Sequence, residues 1–192
     1  MPDASVVVVT HNALPWVERS LESVRGEEVI VVDNGSSDGS VEVVRDAMPE
    51  ATVIEQGNVG LAAGWNRGME EASGRYFLIL NADAWLTEGS LRRLVAFADE
   101  HPDAAIVGPR LLNPDGTLQR SVRGFPTLWR LATEYFFLRK LAPRSRLLNA
   151  FYGGGFEHGE VREADFVMGA CMLVRREAVE AVGPLDDAFF LF

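Results

Sequence analysis

The chain reads as an α/β protein with a three-layer, mostly parallel central sheet, and three features of its sequence predict this. Short uninterrupted apolar runs recur at residues 5–10, 28–33, 51–55 and 75–80. Bounded by polar residues and rich in β-branched side chains, they have the pattern of strands buried on both faces. Between them lie segments with apolar residues at helical spacing, and clusters of Gly, Asn, Ser and Asp mark the joins. Such alternation calls for right-handed crossovers and helices on both faces of the sheet.

In chain order, residues 14–24 put Leu14, Val17, Leu21 and Val24 on one helical face, with Pro15 tolerated in the first turn. After the second strand, Asn34-Gly-Ser-Ser-Asp-Gly-Ser40 forms a turn and offers N-caps to a helix reaching about residue 48. Residues 61–73 are a helix closed by Gly74. The fourth run, Tyr76 to Leu80, stops at Asn81-Ala-Asp83. Thr87, with Glu88 behind it, caps a helix to about residue 100. Residues 104–107 are a further strand, and Asn113-Pro-Asp-Gly116 turns a hairpin excursion over 110–123. A helix over 128–141 carries Trp129, Tyr135, Phe136 and Phe137. A loop at 151–156, a strand pattern over 164–174 interrupted at Gly169, and a short helix over 175–182 complete the order. The last stretch, 187–192, is apolar where termini are usually polar, so the chain is expected to be part of a longer protein.

Composition narrows the function classes. A net charge of −10 over 192 residues argues against a phosphate-backbone binder, so no nucleic-acid partner is expected. Cys171 is the only cysteine, which excludes an internal disulfide framework and fits a reducing compartment. Its apolar neighbours give no reason for a lowered thiol pKa. No basic-then-apolar leader opens the chain, and no apolar run reaches the ~18–20 residues needed to span a bilayer. A cytoplasmic protein is expected. Residues 126–146 depart from the acidic balance, with Arg130, Arg139, Lys140, Arg144 and Arg146 against Glu134 alone. That segment reads either as a packing helix or as a peripheral contact with the inner face of the plasma membrane.

In an open α/β sheet, ligands bind beyond the carboxyl ends of the strands. Three of the first four strands end there in polar groups: Thr10-His11-Asn12, Asp33-Asn34 and Asn81-Ala-Asp83. The loop Gly57-Asn58-Val-Gly60 adds a fourth contribution. Taken singly, each is ordinary turn chemistry. Together on one edge they point to a nucleotide site. Asp33 suits the donors of a pyrimidine ring or a ribose. Asp83 suits a hard divalent cation that bridges phosphate oxygens. Neither a P-loop nor a dinucleotide fingerprint is present.

Five motifs carry a family resemblance: Val7-Val-Val-Thr-His-Asn12, Val31-Val-Asp-Asn-Gly-Ser-Ser-Asp-Gly-Ser40, Asn58-Val-Gly-Leu-Ala-Ala-Gly-Trp-Asn66, Leu78-Ile-Leu-Asn-Ala-Asp83 and Gly169-Ala-Cys-Met-Leu-Val-Arg175. In order and spacing they resemble family 2 glycosyltransferases, especially the rhamnosyltransferase-like branch. The resemblance implies a GT-A fold in a single domain, with a nucleotide-sugar-binding half at 1–109 and an incomplete acceptor-side half at 110–192. It implies inverting transfer of a sugar, rhamnose by branch, from a dTDP- or UDP-sugar to a glycan or lipid-linked acceptor in cell-surface polysaccharide synthesis. Thr10, His11, Asn12, Asp33 and Asn58 would hold the nucleotide. Asn81-Ala-Asp83 would stand in for the Asp-x-Asp motif, with Asp83 on Mg²⁺ or Mn²⁺, and Gly169 and Ala170 would line the donor and acceptor pocket. Two departures follow. Asn81 replaces the first carboxylate of Asp-x-Asp, and the Glu-Asp motif that supplies the catalytic base would fall just after Phe192, with Asp186 and Asp187 too early to replace it.

Two rival readings remain at this stage. A nucleotidyltransferase would share the sheet and the metal carboxylate, but it needs a Gly-rich basic loop after the first strand, which Thr10-His-Asn-Ala-Leu14 is not. A non-catalytic, membrane-associated nucleotide-binding domain is the other.

Overall fold

The computed structural model describes residues 2–141, 145, 147–149, 151 and 158–190. The expected loop at 152–156, Arg144, Arg146, Leu191 and Phe192 lie outside the described residues. The chain divides into two compact units, one of residues 1–107 with 169–192 and one of residues 108–168. Residues 169–192 group with the first unit although they follow the second in the chain.

The first unit carries β1 (Ala4–Thr10), α1 (Val17–Glu22), β2 (Glu28–Asp33), α2 (Ser40–Ala47), β3 (Thr52–Glu55), α3 (Leu61–Glu71), β4 (Tyr76–Asn81), α4 (Ser90–Glu100) and β5 (Ile106–Val107). The second unit follows with β6 (Leu111–Leu112), β7 (Leu118–Gln119), β8 (Val122–Arg123), α5 (Leu128–Tyr135) and β9 (Phe166–Val167). Finally β10 (Cys171–Arg175) and α6 (Arg176–Val182) return the chain to the first unit.

The sheet of the first unit has six strands in the order β3-β2-β1-β4-β10-β5. The first four are parallel, while β10 runs antiparallel to β4 and β5. β1 is buried along its whole length, as a central strand covered on both faces must be. From β1 the chain builds outward through β2 to β3, then crosses back to place β4 on the other side of β1. Strand order therefore reverses between β1 and β4, and a ligand crevice is expected beyond the carboxyl ends of those two strands. Because β10 is antiparallel, its amino end reaches the same edge.

The helices over this sheet are held close. Val7 and Val9 of β1 pack under Gly68 and Gly64 of α3, where a Cβ on Gly64 would lie 3.0 Å from both Val9 methyl carbons. In the second unit, β6 and β7 form the hairpin expected around Asn113–Gly116, and β8 pairs with β9.

Several element limits differ from the sequence reading, for local reasons. Residues 14–16 form a turn before α1, because the Ala13 carbonyl accepts from Trp16 and Val17 and the Leu14 N–H goes to Asp38. α4 starts at Ser90 rather than at Thr87, entered through Gly89 at φ 70°. Gly74 does not close α3 in a left-handed turn. It admits the backbone of β1 instead, since a Cβ there would lie 2.6 Å from Ser5 N. The expected helix over 128–141 stops at Tyr135, where Phe137 at φ 53° separates it from a 3-10 turn at Leu138–Lys140.

Candidate functional site

The ends of β1 and β2 are laced together by the two loops that follow them. Asn12 stands in the left-handed region at φ 54°. Its N–H donates to Ser36 Oγ at 2.9 Å, and its Oδ1 accepts from Ser37 N–H at 2.9 Å. Ala13 N–H donates to Ser40 Oγ at 2.9 Å and Leu14 N–H to Asp38 Oδ2 at 3.0 Å. Asp38 Oδ1 also accepts from Ser40 Oγ at 2.6 Å, and this bond first, then those from the Leu14 and Ser40 N–H groups, holds the Asp38 carboxyl below its ordinary value. His11 Nδ1 lies 2.8 Å from the Asn34 carbonyl, which can only accept. Nδ1 therefore donates to it, and Nε2 lies 3.4 Å from Asn12 Nδ2 at the exposed edge.

Asp33 and Asp83, which look alike in sequence, are in opposite states. Asp33 is 2% exposed and caps its own turn. Its Oδ2 accepts from Gly35 and Ser36 N–H at 3.0 and 2.9 Å, and its Oδ1 accepts from Ser36 Oγ. Three of roughly four acceptor sites are thus taken within the chain. Asp83 is exposed and has no hydrogen-bond or ion-pair partner among the described residues. Its neighbour Asn81 is anchored through the backbone: its N–H donates to the Ala170 carbonyl at 3.0 Å, and its carbonyl accepts from Ser20 Oγ at 3.4 Å and Ala84 N–H at 3.0 Å. Ser23 Oγ of the next turn accepts from Leu86 N–H at 3.0 Å, so the loop after β4 is tied down on both sides of a free carboxylate.

The bond from Asn81 to Ala170 brings Gly169 and Ala170 beside Asn81-Ala-Asp83. Gly169 lies against Trp65 of α3, where a Cβ would come 2.7 Å from the ring. The indole nitrogen of Trp65 and the hydroxyl of Thr10 are buried without a hydrogen-bond partner among the described residues. Asn58 is exposed in the loop after β3, its Oδ1 near Gly60 N–H at 3.4 Å. Thr10, His11, Asn12, Asp33, Asn58, Asn81, Asp83, Gly169 and Ala170 thus all belong to the strand-end edge of the first unit.

The sequence placed Asn34 at this edge but did not show the partners through which it organises it, nor the roles of Trp65 and Asn66. Buried Asn34 receives Gln56 Nε2 at 2.8 Å, donates its N–H to the Thr10 carbonyl at 2.8 Å, and donates Nδ2 to the Gly60 carbonyl at 2.9 Å. Trp65 and Asn66 stand inside the motif that begins at Asn58, but their partners lie far along the chain. A cavity of about 320 Å³ sits elsewhere, near the start of β1, lined by Asp3, Glu27, Arg75, Arg92 and Asp99. It contains none of the strand-end residues.

Among the described residues no three His, Cys, Asp or Glu side chains gather as a metal cage. One free carboxylate is nevertheless what an Mg²⁺-type ion needs when substrate phosphates and water complete its shell. The donor set fits an ion that arrives with its nucleotide.

A mostly parallel sheet whose strand-order reversal is flanked by polar strand ends and one open carboxylate is an α/β fold of the GT-A type. The solved structures it resembles have this fold. The mannosyltransferase PcManGT from Pyrobaculum calidifontis, in complex with GDP-Man and Mn²⁺, superposes with a TM-score of 0.64 at 20% identity, covering 97% of this chain and 48% of that one. S. aureus TarS 1-349 in complex with UDP gives 0.53 at 23% identity, covering 67% and 39%. Residues 5–183 match the profile described as Glycosyl transferase family 2. The chain belongs to that family. It is 30% identical to the N-acetylglucosaminyl-diphospho-decaprenol L-rhamnosyltransferase of Mycobacterium tuberculosis, over 97% of its own length and 66% of that protein's. It is 24% identical to a low-salt glycan biosynthesis hexosyltransferase of Haloferax volcanii, over 100% of its own length and 59% of that protein's.

Proposed function

We propose that this chain holds the donor site of an inverting glycosyltransferase that moves a sugar from a nucleoside diphosphate to a hydroxyl of a glycan or lipid-linked acceptor. The observation that carries the reading is the contrast between a self-satisfied Asp33 and an open Asp83 on one strand-end edge. In this reading Thr10, His11, Asn12 and Asn58 receive base and ribose. Asp33 shapes the turn and offers its remaining lone pair. Asp83 and the Asn81 carboxamide face the diphosphate, and Gly169 and Ala170 leave room for the sugar. Mg²⁺ or Mn²⁺ bound at Asp83 would neutralise charge developing on the departing diphosphate. The mycobacterial relative, named for a decaprenol-linked substrate and for rhamnose, supports a lipid-linked acceptor and rhamnose as the sugar. The UDP and GDP-Man complexes of the structural relatives support the nucleotide class.

Calorimetry with UDP and dTDP, with and without Mn²⁺, tests the reading. Metal-dependent binding is expected, and Asp83→Ala should remove the metal dependence, weakening binding about tenfold or more. Absence of heat and of thermal shift with either nucleotide rejects the donor site. Binding by Asp83→Ala equal to wild type returns Asp83 to turn chemistry.

A second reading concerns cellular placement. Among the described residues no helix is long and apolar enough to cross a membrane. The apolar residues Leu128, Leu131 and Tyr135 nevertheless form an exposed stripe on α5, while Thr133 is buried. Peripheral contact of 128–146 with a lipid surface is the reading this inverted helix favours.

A further inference from the structure

The segment after α6 is fastened to α3 at two places. Asn66, in the second turn of α3, pairs its carboxamide with the backbone of Leu185 in both directions. Nδ2 donates to the Leu185 carbonyl at 2.8 Å, and Oδ1 accepts from Leu185 N–H at 2.9 Å. One turn earlier, Leu61 N–H donates to the carbonyl of Phe190 at 2.8 Å. Gly60, just before it, stands at φ +97°, and a Cβ there would lie 2.7 Å from the Phe190 carbonyl oxygen. Only glycine therefore admits the segment at this point.

Nothing local creates these contacts, since Asn66 and Leu185 are 119 residues apart. A carboxamide that serves both the N–H and the carbonyl of one remote residue acts like a neighbouring strand. It fixes the direction of the segment as well as its position. The fastening also continues into the candidate site. The carbonyl of Gly60 accepts from Asn34 Nδ2, and Asn34 directly follows Asp33 at the end of β2. The path from nucleotide edge to segment thus runs Asp33, Asn34, Gly60, Leu61, Phe190.

We infer that Asn66 is a positioning residue for the transfer reaction: it seats the Leu185–Phe190 segment on α3, where that segment joins the strand-end edge through Leu61 and Gly60. This rests on the donor reading above. Among the described residues both hydrogen bonds of the Asn66 side chain go to Leu185, so its action is indirect.

Wild type is compared with Asn66→Ala, which loses both bonds, and with Asn66→Asp, which keeps an acceptor for Leu185 N–H. Amide hydrogen exchange on the chain should show protection at Leu185 and Leu61 falling about tenfold or more in Asn66→Ala and less in Asn66→Asp. Affinity for UDP or dTDP with Mn²⁺ should stay within about twofold of wild type, while kcat for sugar transfer falls about tenfold at unchanged donor KM. Unchanged exchange at Leu185 overturns the inference. So does nucleotide affinity that falls in step with kcat, or protection lost throughout the sheet, either of which makes Asn66 a residue of the fold. A wild-type chain that binds no nucleotide, with protection still lost at Leu185 in Asn66→Ala, sinks the donor reading and reduces the pair to a structural tie.

Discussion

Glu28, at the start of β2, ties together three stretches that are distant in sequence. Its carboxylate accepts from Ser5 Oγ on β1, and from the Ser73 N–H and hydroxyl beyond α3 at 2.9 and 2.8 Å. Burial raises its pKa, but the bonds from Ser5 and Ser73 outweigh burial and hold it below the ordinary value of 4.5. A folded pKa lower than the unfolded one contributes stability that is complete above the unfolded value and fades as pH falls through the folded value. Urea midpoints of wild type and Glu28→Gln should therefore lie furthest apart at neutral pH, wild type higher, and converge as pH drops below 4.5. A gap that is the same at every pH would show that the charge contributes nothing. The same scale explains how far the site was legible. Polar groups at strand ends announce the edge, because an apolar run that stops abruptly marks where a buried strand meets solvent. The different states of Asp33 and Asp83 were not legible, because capping by Gly35 and Ser36 depends on backbone geometry. The roles of Asn34, Trp65 and Asn66 were missed because each acts through a partner at long range.

Among the elements, α3 illustrates packing that propensity alone would misjudge. A Cβ on Gly68 would meet Val7 Cγ1 and come 3.3 Å from Val32 Cγ2, whereas one on Gly64 would stay 3.0 Å from the Val9 methyl carbons. Helix propensity favours alanine over glycine by ~1 kcal/mol. Overpacking a tight helix–sheet contact costs ~1–3 kcal/mol. Gly68→Ala should therefore be destabilising by up to about 2 kcal/mol, while Gly64→Ala lies closer to neutral. Urea denaturation checks this, and a Gly68→Ala protein more stable than wild type would mean that the helix lifts off the sheet without penalty. The strands β1 to β4 were readable because burial on both faces leaves an unbroken apolar run. Helix limits were harder to read. Leu14 N–H is drawn away by Asp38, Gly89 turns the chain into α4, and Phe137 breaks the aromatic helix. No window of local sequence contains those partners or dihedrals. The pairing of β10 with β4 is likewise non-local, and it is what brings Gly169 and Ala170 to the strand-end edge.

For the molecule as a whole, charge distribution decides whether contact with a lipid surface is physically reasonable. A chain with net charge −10 is repelled by an anionic bilayer unless its basic residues are concentrated where they meet it. Residues 126–146 concentrate five of them against one acid. Arg130 is bound to Asp165 at 3.0 Å, and a basic residue that reaches an anionic surface is worth ~1 kcal/mol. Electrostatics on that scale gives weak, salt-sensitive binding, and the exposed side chains Leu128, Tyr135, Phe136 and Leu141 would add apolar burial at the headgroup boundary. Flotation should therefore recover the protein with vesicles containing phosphatidylglycerol, less with phosphatidylcholine alone, and less again in about 0.5 M salt, where charges a few ångströms apart are already screened. Tyr135→Ala combined with Phe136→Ala should reduce recovery on anionic vesicles, since both side chains are exposed. Equal recovery on neutral and anionic vesicles would reject the electrostatic part. No recovery on either would return α5 to packing against protein, which is what an outward apolar stripe otherwise requires.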